Sequence, residues 1–161
     1  MNIRFIDTSI VMNLLEIPDR CEDKEQVKRE FQKAVSDGDR LVLPMSTIIE
    51  SGNHIAHIKN GDARRSKALL FQEFLEKTAC DETPWKLYGT ELKKEDLLFI
   101  AQEFPERALR YEMGIGDLSI IRFYENAKKT LPALGKIMIW STDKHLQGYS
   151  EDITMKRRKD R

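Results

Sequence analysis

Cysteine is scarce in this sequence. Of its 161 residues only two are cysteines, Cys21 and Cys80, and neither belongs to a Cys-x-x-Cys pair or to another zinc-like spacing. Small secreted scaffolds depend on several paired cysteines, so this number argues against that class of protein. The first residues also lack the basic and apolar regions of a secretory signal. We therefore expect reduced thiols and a cytoplasmic location.

Long apolar runs and an excess of charge of one sign are absent as well. No stretch approaches the roughly 18 consecutive apolar residues of a membrane-spanning helix, so no membrane partner is expected. Lysine and arginine together number 27, as do aspartate and glutamate, and the formal net charge is zero. A balanced total neither requires nor excludes a nucleic-acid partner, because one patch of the surface can still be basic. The length suits a single domain with its own hydrophobic core.

Strand and helix patterns alternate along the chain. A short strand is predicted at residues 3–6. Short continuous apolar runs, typical of strands buried on both faces, occur at residues 41–43 and 137–139, and a weaker strand is expected near residues 85–88. Apolar residues at helical spacing predict helices over residues 10–17, 23–37, 46–59, 63–78, 93–103 and 106–113, and a last helix from residue 117. This alternation predicts an α/β fold, a three-layer α/β/α sandwich with a central, mainly parallel sheet. We assign residues 1–150 to this domain and residues 151–161 to a charged C-terminal tail.

Carboxylates stand at or near the ends of the predicted strands. Asp7 directly follows the first strand, Glu50 lies one helical turn beyond the second, and Asp143 follows the last. Asp117 opens a helix behind the bend Gly114-Ile115-Gly116. Because ligands of open parallel sheets bind at the carboxyl ends of the strands, these acids are candidates for one shared site.

A shared site of four acids implies a cation. Carboxylates that are packed together repel one another, so they must either take up protons or bind cations. Mg²⁺ and Mn²⁺ are hard ions that prefer carboxylate oxygen and water. Two such ions about 4 Å apart can activate a water molecule and stabilise the leaving oxygen of a phosphodiester. The pattern therefore favours metal-dependent phosphodiester chemistry.

Four segments, in this order, resemble the motifs of PIN domains, a family of metal-dependent ribonucleases. Phe5-Ile6-Asp7-Thr8-Ser9 resembles the opening motif, a hydrophobic strand followed by Asp-Thr and a small polar residue. Residues 44–50 resemble the second motif, in which a Glu lies one turn into the helix after strand two. Gly116-Asp117-Leu118-Ser119-Ile120 resembles the third motif, an Asp that opens a helix. Ser141-Thr142-Asp143-Lys144 resembles the fourth, the Thr-x-Asp end of a strand, except that Thr and Asp are adjacent here. The resemblance extends to about Tyr149.

This resemblance implies an endoribonuclease that needs Mg²⁺ or Mn²⁺. It implies four catalytic, metal-binding acids, of which the last is a direct or water-mediated ligand: Asp7, Glu50, Asp117 and Asp143. Ser9 and Thr142 would orient water or the carboxylates. A metal-activated water would attack phosphorus and leave a 5′-phosphate and a 3′-hydroxyl. The implied partners are an RNA substrate, a small antitoxin protein if the chain is the toxin of a toxin–antitoxin pair, and a second copy of the chain, since relatives often form homodimers.

Each of the four acids also has a simpler structural interpretation. Asp7 can cap the first helix, and Asp117 can be a first-turn acid favoured by the helix dipole. Thr47-Ile48-Ile49-Glu50 has the sequence of a capping box, which would give Glu50 a purely local role. Asp143 can be a turn residue. We favour the metal site because all four acids occur in matching contexts.

Polar residues near the second motif are candidates for contacts with the substrate. Asn53 and His54 lie three and four residues after Glu50 and share its helix face. Arg64 follows that helix and could contact phosphate. A polar stripe on a helix is the simpler interpretation of Asn53 and His54, and a solvated tail is the simpler interpretation of the basic run at residues 156–159.

A non-catalytic PIN-like module that binds RNA or protein is the alternative function. Such a module has no need for a repulsive acidic cluster, so metal titration would separate the two. A receiver-type phospho-acceptor domain would need an acidic pair after the first strand, which is missing here. A haloacid-dehalogenase-like phosphatase would need Asp-x-Asp there, and Ser9 stands at the second of those positions.

Overall fold

A five-stranded sheet forms the centre of the protein. The computed structural model describes residues 1–89, 91–131 and 135–153. The strands β1 to β5 are Ile3–Ile6, Arg40–Pro44, Trp85–Tyr88, Lys136–Trp140 and Ser150–Asp152. Their order in the sheet is β3-β2-β1-β4-β5, and all neighbouring pairs are parallel except β4 and β5. The predicted α/β fold with a mainly parallel sheet is thereby confirmed, including the short strand near residue 85.

Helices connect the strands. In the described part of the chain, α1 to α7 are Thr8–Leu14, Lys24–Ser36, Met45–Ala56, Gly61–Ala79, Lys94–Tyr111, Ile115–Thr130 and Lys144–Gln147. Among these described residues, no helix combines the length and the apolar composition that a membrane crossing requires.

The sheet is buried on both faces, which explains the continuous apolar runs in its strands. Successive residues of a strand point to opposite faces, so Phe5 and Val42 join one hydrophobic core while Ile6 and Leu43 join the other. The first core includes apolar side chains of α5, α6 and α7, and the second includes those of α1 to α4. Helices therefore pack on both sides of the sheet, an arrangement compatible with the predicted three layers.

Helix α5 continues through Pro105, where the sequence predicted a break between two helices. Proline lacks an N–H and leaves the carbonyl four residues earlier, that of Ala101, without its helical hydrogen bond. Both residues are exposed, so water can satisfy this carbonyl. On the buried side, Asp96 holds α5 to α6 through a 2.8 Å ion pair with Arg122. The prediction of two separate helices was therefore wrong.

The last strand extends the sheet beyond the predicted end of the domain. β5 pairs antiparallel with β4, with Met138 opposite Ser150 and Lys136 opposite Asp152. The predicted tail at residues 151–161 thus begins inside a strand, which its polar composition did not reveal. The basic run at residues 156–159 lies outside the described residues.

Candidate active site

A cleft of about 640 Å³ lies at the carboxyl ends of β1 and β4. Its lining includes all four acids that the sequence singled out: Asp7, Glu50, Asp117 and Asp143. In the sheet, β2 lies on one side of β1 and β4 lies on the other. The order of the strands therefore reverses at β1, and the cleft lies at this point. Open α/β sheets bind ligands at this position. The fold therefore brings together four residues that are spread over more than one hundred positions of sequence.

Asp7 is held through one of its two carboxylate oxygens. Its Oδ2 accepts hydrogen bonds from the Ser9 backbone N–H at 3.3 Å, the Ser9 hydroxyl at 2.8 Å and the Ser141 hydroxyl at 2.7 Å. The first of these bonds also makes Asp7 the N-cap of α1. The capping interpretation is thus correct, and it occupies only one oxygen. With 6% of its surface exposed, Asp7 is the most buried of the four acids.

Ser141 orients Asp7, and the sequence interpretation missed it. The register pairs Ile6 with Trp140, so Asp7 and Ser141 are the next residues along two neighbouring parallel strands. Thr142, which is predicted to orient water or carboxylates, also lines the cleft, and its backbone N–H donates to the Ser9 hydroxyl at 3.0 Å. Ser141 could have been identified from its position, because it directly follows the last residue of β4 just as Asp7 directly follows β1.

Glu50 lies on α3 and does not form the predicted capping box. The helix begins at Met45, its N-cap is Pro44, and the Thr47 hydroxyl donates to the Ile6 carbonyl at 2.8 Å. The Glu50 carboxylate reaches α1 instead, where its Oε2 accepts a 3.0 Å hydrogen bond from the Thr8 hydroxyl. Burial raises the pKa of Glu50, and the charges of Asp117 and Asp7 raise it further against the opposing effect of the Thr8 bond.

Gly116 makes room for the Glu50 carboxylate. A β-carbon at Gly116 would overlap the Oε1 and Cδ atoms of Glu50. Gly116 lies in the first turn of α6, directly before Asp117, so its missing side chain lets the carboxylate of α3 approach the start of α6. The Gly-Ile-Gly segment predicted a break in the chain; the structure gives its second glycine a steric role at the site.

Asp117 lies in the first turn of α6, which begins at Ile115 rather than at Asp117 as the sequence predicted. Its Oδ2 accepts the Gly114 backbone N–H at 3.2 Å, so the first-turn interpretation of this acid is correct as well. Burial raises the pKa of Asp117, and the charge of Asp7 raises it further. The Gly114 hydrogen bond opposes this shift, and the charge of Asp143 adds to it.

Asp143 caps the short helix α7 after β4. Its Oδ1 accepts the His145 backbone N–H at 2.9 Å, and its own N–H donates to the Ser141 hydroxyl at 2.9 Å. The predicted turn role is therefore present, together with a position in the cleft lining. Ser141 thus contacts both Asp7 and the backbone of Asp143.

The four acids share one pattern of hydrogen bonding. In each, one carboxylate oxygen accepts hydrogen bonds, and the other accepts none from the residues that the structure describes. The bonded oxygens are Asp7 Oδ2, Glu50 Oε2, Asp117 Oδ2 and Asp143 Oδ1. Within the same residues, no lysine, arginine or histidine forms an ion pair with any of the four. Each acid therefore keeps one oxygen that a cation or its water could use.

The donor chemistry of the cleft fits Mg²⁺ or Mn²⁺, but the acids do not form a closed cage. Over residues 1–89, 91–131 and 135–153, no group of three or more His, Cys, Asp or Glu side chains is arranged so that it could hold a metal ion. Mg²⁺ is usually bound by only one or two carboxylates, and water or phosphate fills its other positions. Free carboxylate oxygens around an open cleft suit that mode of binding, and three or more direct ligands would require the side chains to move.

The three residues predicted to contact the substrate lie in different places in the structure. His54 lines the cleft, whereas Asn53 and Arg64 are not part of its lining. Asn53 is exposed one position away on α3, and its carbonyl is 2.7 Å from the His57 ring. Arg64 folds back toward α3 and donates to the Ile58 carbonyl at 3.4 Å. Only the His54 prediction is compatible with a contact inside the cleft.

The connection between α1 and α2 contributes residues that the sequence did not indicate. Asp19, Arg20, Glu22 and Asp23 all line the cleft. Asn13 of α1 also lines it, and its Oδ1 is buried without a hydrogen-bond partner among the described residues. These residues follow no strand directly, so an interpretation that started from strand ends had no reason to include them.

Comparison with known proteins adds no assignment at this point: no protein-family model matches the chain, and no curated protein matches it.

Proposed function

We propose that the protein is a metal-dependent endoribonuclease of the PIN type. The observation that carries this proposal is the convergence of Asp7, Glu50, Asp117 and Asp143 on one cleft, each with one oxygen free of hydrogen bonds. Burial raises the pKa values of Glu50 and Asp117, and the charges of neighbouring acids raise them further, so charging both carboxylates in this cleft costs free energy. A protein gains nothing in stability from such a cluster, so its presence favours a role in binding a cation.

One or two of the four acids would hold Mg²⁺ or Mn²⁺ directly through their free oxygens, and the others would act through bound water. When bound, the metal would supply an activated water and would stabilise the charge that develops on the phosphodiester oxygens. The chain's own contribution is to fix the ligands. Ser9 and Ser141 orient Asp7, and Thr8 orients Glu50, in each case through the oxygen that a metal would not use.

The choice of RNA as the substrate rests on the sequence resemblance to PIN domains. The fold supports this choice in one respect: the mainly parallel sheet brings the four motif acids to one cleft. A cytoplasmic location, a small antitoxin partner and a homodimer follow from the same resemblance or from composition, and they remain proposals. Products with a 5′-phosphate and a 3′-hydroxyl are expected: water would attack phosphorus, the bond between phosphorus and the 3′ oxygen would break, and the leaving 3′ oxygen would take up a proton.

A non-catalytic PIN-like module that binds RNA or protein is the second candidate. One observation favours it: among the described residues, no three candidate ligands are arranged to hold a metal ion. If the acids stay apart in solution, the cleft would bind its partner without cleaving it. Metal binding therefore separates the two candidates.

The deciding experiment incubates the purified protein with single-stranded RNA and Mg²⁺ or Mn²⁺, with and without EDTA. An Asp117→Asn variant runs alongside, and Asp62→Asn serves as a matched control. Asp62 is also an acid in the first turn of a helix, but it is exposed and lies outside the cleft. We expect cleavage by the unchanged protein and by Asp62→Asn, and loss of cleavage with EDTA or Asp117→Asn.

Two other outcomes would redirect the proposal. Cleavage that persists with both EDTA and Asp117→Asn would place the activity elsewhere, and a 2′,3′-cyclic phosphate product would identify the ribose hydroxyl as the nucleophile. Calorimetric titration with Mn²⁺ accompanies the cleavage assay. RNA binding without Mn²⁺ binding or cleavage would support the non-catalytic module.

A further inference from the structure

The cleft presents an electrostatic problem for any nucleic-acid substrate. Eight acidic residues line it: Asp7, Asp19, Glu22, Asp23, Glu50, Glu112, Asp117 and Asp143. Within the described part of the chain, Arg20 is the only lysine or arginine in that lining. A phosphodiester backbone carries one negative charge per residue and is repelled by such a surface. A substrate phosphate that enters the cleft therefore needs a cationic contact, and few residues can provide it.

Arg20 lies on a connection that is anchored at both ends. Ile17 is fully buried, and its N–H donates to the Met12 carbonyl at 2.9 Å. Glu16 forms ion pairs with Lys24 and Lys28 of α2 at 3.2 and 3.0 Å. These contacts fix the short segment between α1 and α2 and so fix the position from which the Arg20 side chain extends.

The Arg20 side chain is exposed and has no partner among the described residues, although Asp19, Glu22 and Asp23 line the same cleft. No ion pair or side-chain hydrogen bond joins it to any of them. An arginine beside three acids that pairs with none of them keeps all its donors available. A guanidinium group can donate two parallel hydrogen bonds to one phosphate, so it suits this ligand better than a lysine does.

His54 lies on the wall formed by α3 and completes the arrangement. Its ring forms no hydrogen bond within the described residues, and it is half-buried in the cleft lining. Burial lowers the pKa of His54, and the nearby positive charges of Arg20 and His57 lower it further. Arg20 and His54 both line this cleft. A neutral imidazole offers one N–H donor to an anion that enters the cleft.

We infer that Arg20 and His54 form a subsite that binds a backbone phosphate of single-stranded RNA next to the bond that the four acids would cleave. This inference rests on the proposed function for its ligand. The residues of this subsite are different from the metal-binding acids, since neither Arg20 nor His54 has a side-chain oxygen that could bind Mg²⁺. Arg20 supplies the charge and the paired donors, and His54 supplies a directional hydrogen bond.

The test measures binding of a fluorescent single-stranded oligoribonucleotide by anisotropy at several salt concentrations. All proteins carry Asp117→Asn, so that the probe stays intact. The comparison is between Arg20→Ala, Arg20→Lys and the control Arg29→Ala. Arg29 is an exposed arginine of α2 outside the cleft lining, so its removal changes the net charge by the same amount.

We expect Arg20→Ala to weaken binding about tenfold or more and to lower the salt slope by about one, while Arg29→Ala changes neither. Arg20→Lys should restore only part of the affinity, because an ammonium cannot form the paired bonds. A neutral methylphosphonate at one position of the probe should weaken binding by the protein with Arg20 and leave the Arg20→Ala protein unaffected.

Several results would overturn the subsite. Equal losses for Arg20→Ala and Arg29→Ala would show only a long-range charge effect, and an unchanged affinity for Arg20→Ala would exclude the contact. Absence of RNA binding by all the proteins would exclude it too. The nuclease proposal is tested separately by cleavage with Asp117 intact, so RNA that binds through Arg20 but is never cut would support the subsite and reject the nuclease.

Discussion

The Ser141 hydroxyl donates a 2.7 Å hydrogen bond to Oδ2 of Asp7 and so joins the ends of β4 and β1 at the cleft. The Ser9 hydroxyl bonds the same oxygen at 2.8 Å and lies 3.2 Å from that of Ser141. Asp7 therefore has one oxygen that the protein occupies and one that it leaves free. This division of roles explains how a helix-capping aspartate can also serve as a metal ligand.

Replacing Ser141 with alanine should loosen Asp7 without unfolding the protein. Loss of a residue that orients a metal ligand typically costs about 10- to 100-fold in metal affinity or activity. We expect Mn²⁺ affinity and RNA cleavage to fall by such a factor, and the free energy of unfolding to fall by about 1 kcal/mol. Calorimetry, cleavage rates and thermal unfolding measure the three quantities. Ser141→Thr keeps the hydroxyl and should recover most of the lost affinity; an equal loss for both variants would mean that packing, not the hydrogen bond, matters.

Gly116→Ala tests whether the space beside Glu50 matters. The added methyl group would occupy the position of the Glu50 carboxylate, which must then move away from the start of α6. Alanine is otherwise better suited to a helix than glycine by roughly 0.5–1 kcal/mol, so the fold should remain stable. We expect Mn²⁺ binding to weaken markedly while the melting temperature stays the same or rises.

Gly61→Ala is the control for that substitution. Gly61 also lies in the first turn of a helix, and a β-carbon there would meet no atom within 4 Å. It should raise stability slightly and leave Mn²⁺ binding unchanged. If Gly116→Ala binds Mn²⁺ as tightly as Gly61→Ala does, the observed position of Glu50 is not the one that matters for the metal.

The fold could be predicted from sequence where burial dictates the pattern. A strand covered on both faces is largely apolar, and this is why β2 and β4 could be identified from the runs Leu41-Val42-Leu43 and Ile137-Met138-Ile139. β5 could not, because Ser150–Asp152 is a short polar edge strand. The helix through Pro105 was also missed, because proline usually ends a helix, whereas here the carbonyl that it leaves unpaired belongs to an exposed residue and can bind water.

The site could be predicted as far as its acids lie near strand ends or helix starts. Asp7 directly follows β1 and Asp143 lies shortly after β4; the two strands turn out to be neighbours, and parallel strands bring their ends together. Ser141 and Asp7 are 134 positions apart, so no local pattern announces their hydrogen bond. The same is true of Gly116, whose importance depends on a carboxylate from another helix, and of Arg20, which follows no strand.

Asp96 connects α5 to α6, so its removal should destabilise the fold. Burial by itself would raise the pKa of Asp96, but the hydrogen bonds from Arg122, Asn126 and the Lys93 N–H outweigh it and lower the pKa. Asp96→Ala should cost roughly 2–4 kcal/mol of unfolding free energy, somewhat less than a fully buried pair because Arg122 is partly exposed. Denaturant unfolding measures the change. Glu73→Ala removes the exposed pair with Lys77 and should cost less than about 1 kcal/mol, so similar losses for both would contradict the assignment.

Glu50→Gln should stabilise the metal-free protein near neutral pH. Since the pKa of Glu50 is raised in the folded state, the stability that this group contributes is present below its ordinary value of 4.5 and is lost as the pH rises through the raised pKa. The charged carboxylate is then a net cost, which glutamine removes while it still accepts the Thr8 hydrogen bond. Thermal unfolding in EDTA should show a higher melting temperature than for Glu76→Gln, an exposed acid of α4 that also accepts a hydrogen bond from a neutral side chain.

Added Mn²⁺ should reverse the order of the melting temperatures of Glu50→Gln and Glu76→Gln. A ligand at about 100 times its dissociation constant stabilises the folded state by about 2.7 kcal/mol. The unchanged protein and Glu76→Gln should therefore gain stability with Mn²⁺, and Glu50→Gln should gain much less. Equal gains for all three proteins would place the bound metal away from Glu50.

Mn²⁺ affinity should rise with pH, because Glu50 and Asp117 must lose their protons before they can bind the metal. The pKa values of both are raised, chiefly by burial, so this rise should lie above their ordinary values of 4.5 and 3.8. Asp117→Asn removes a charge that raises the pKa of Glu50. The variant should therefore bind Mn²⁺ more weakly at high pH, with the midpoint of its pH dependence shifted downward, whereas Asp62→Asn should change neither value. Calorimetry from about pH 4 to about pH 8 measures both, and an affinity that is flat over this range would contradict the raised pKa values of the two acids.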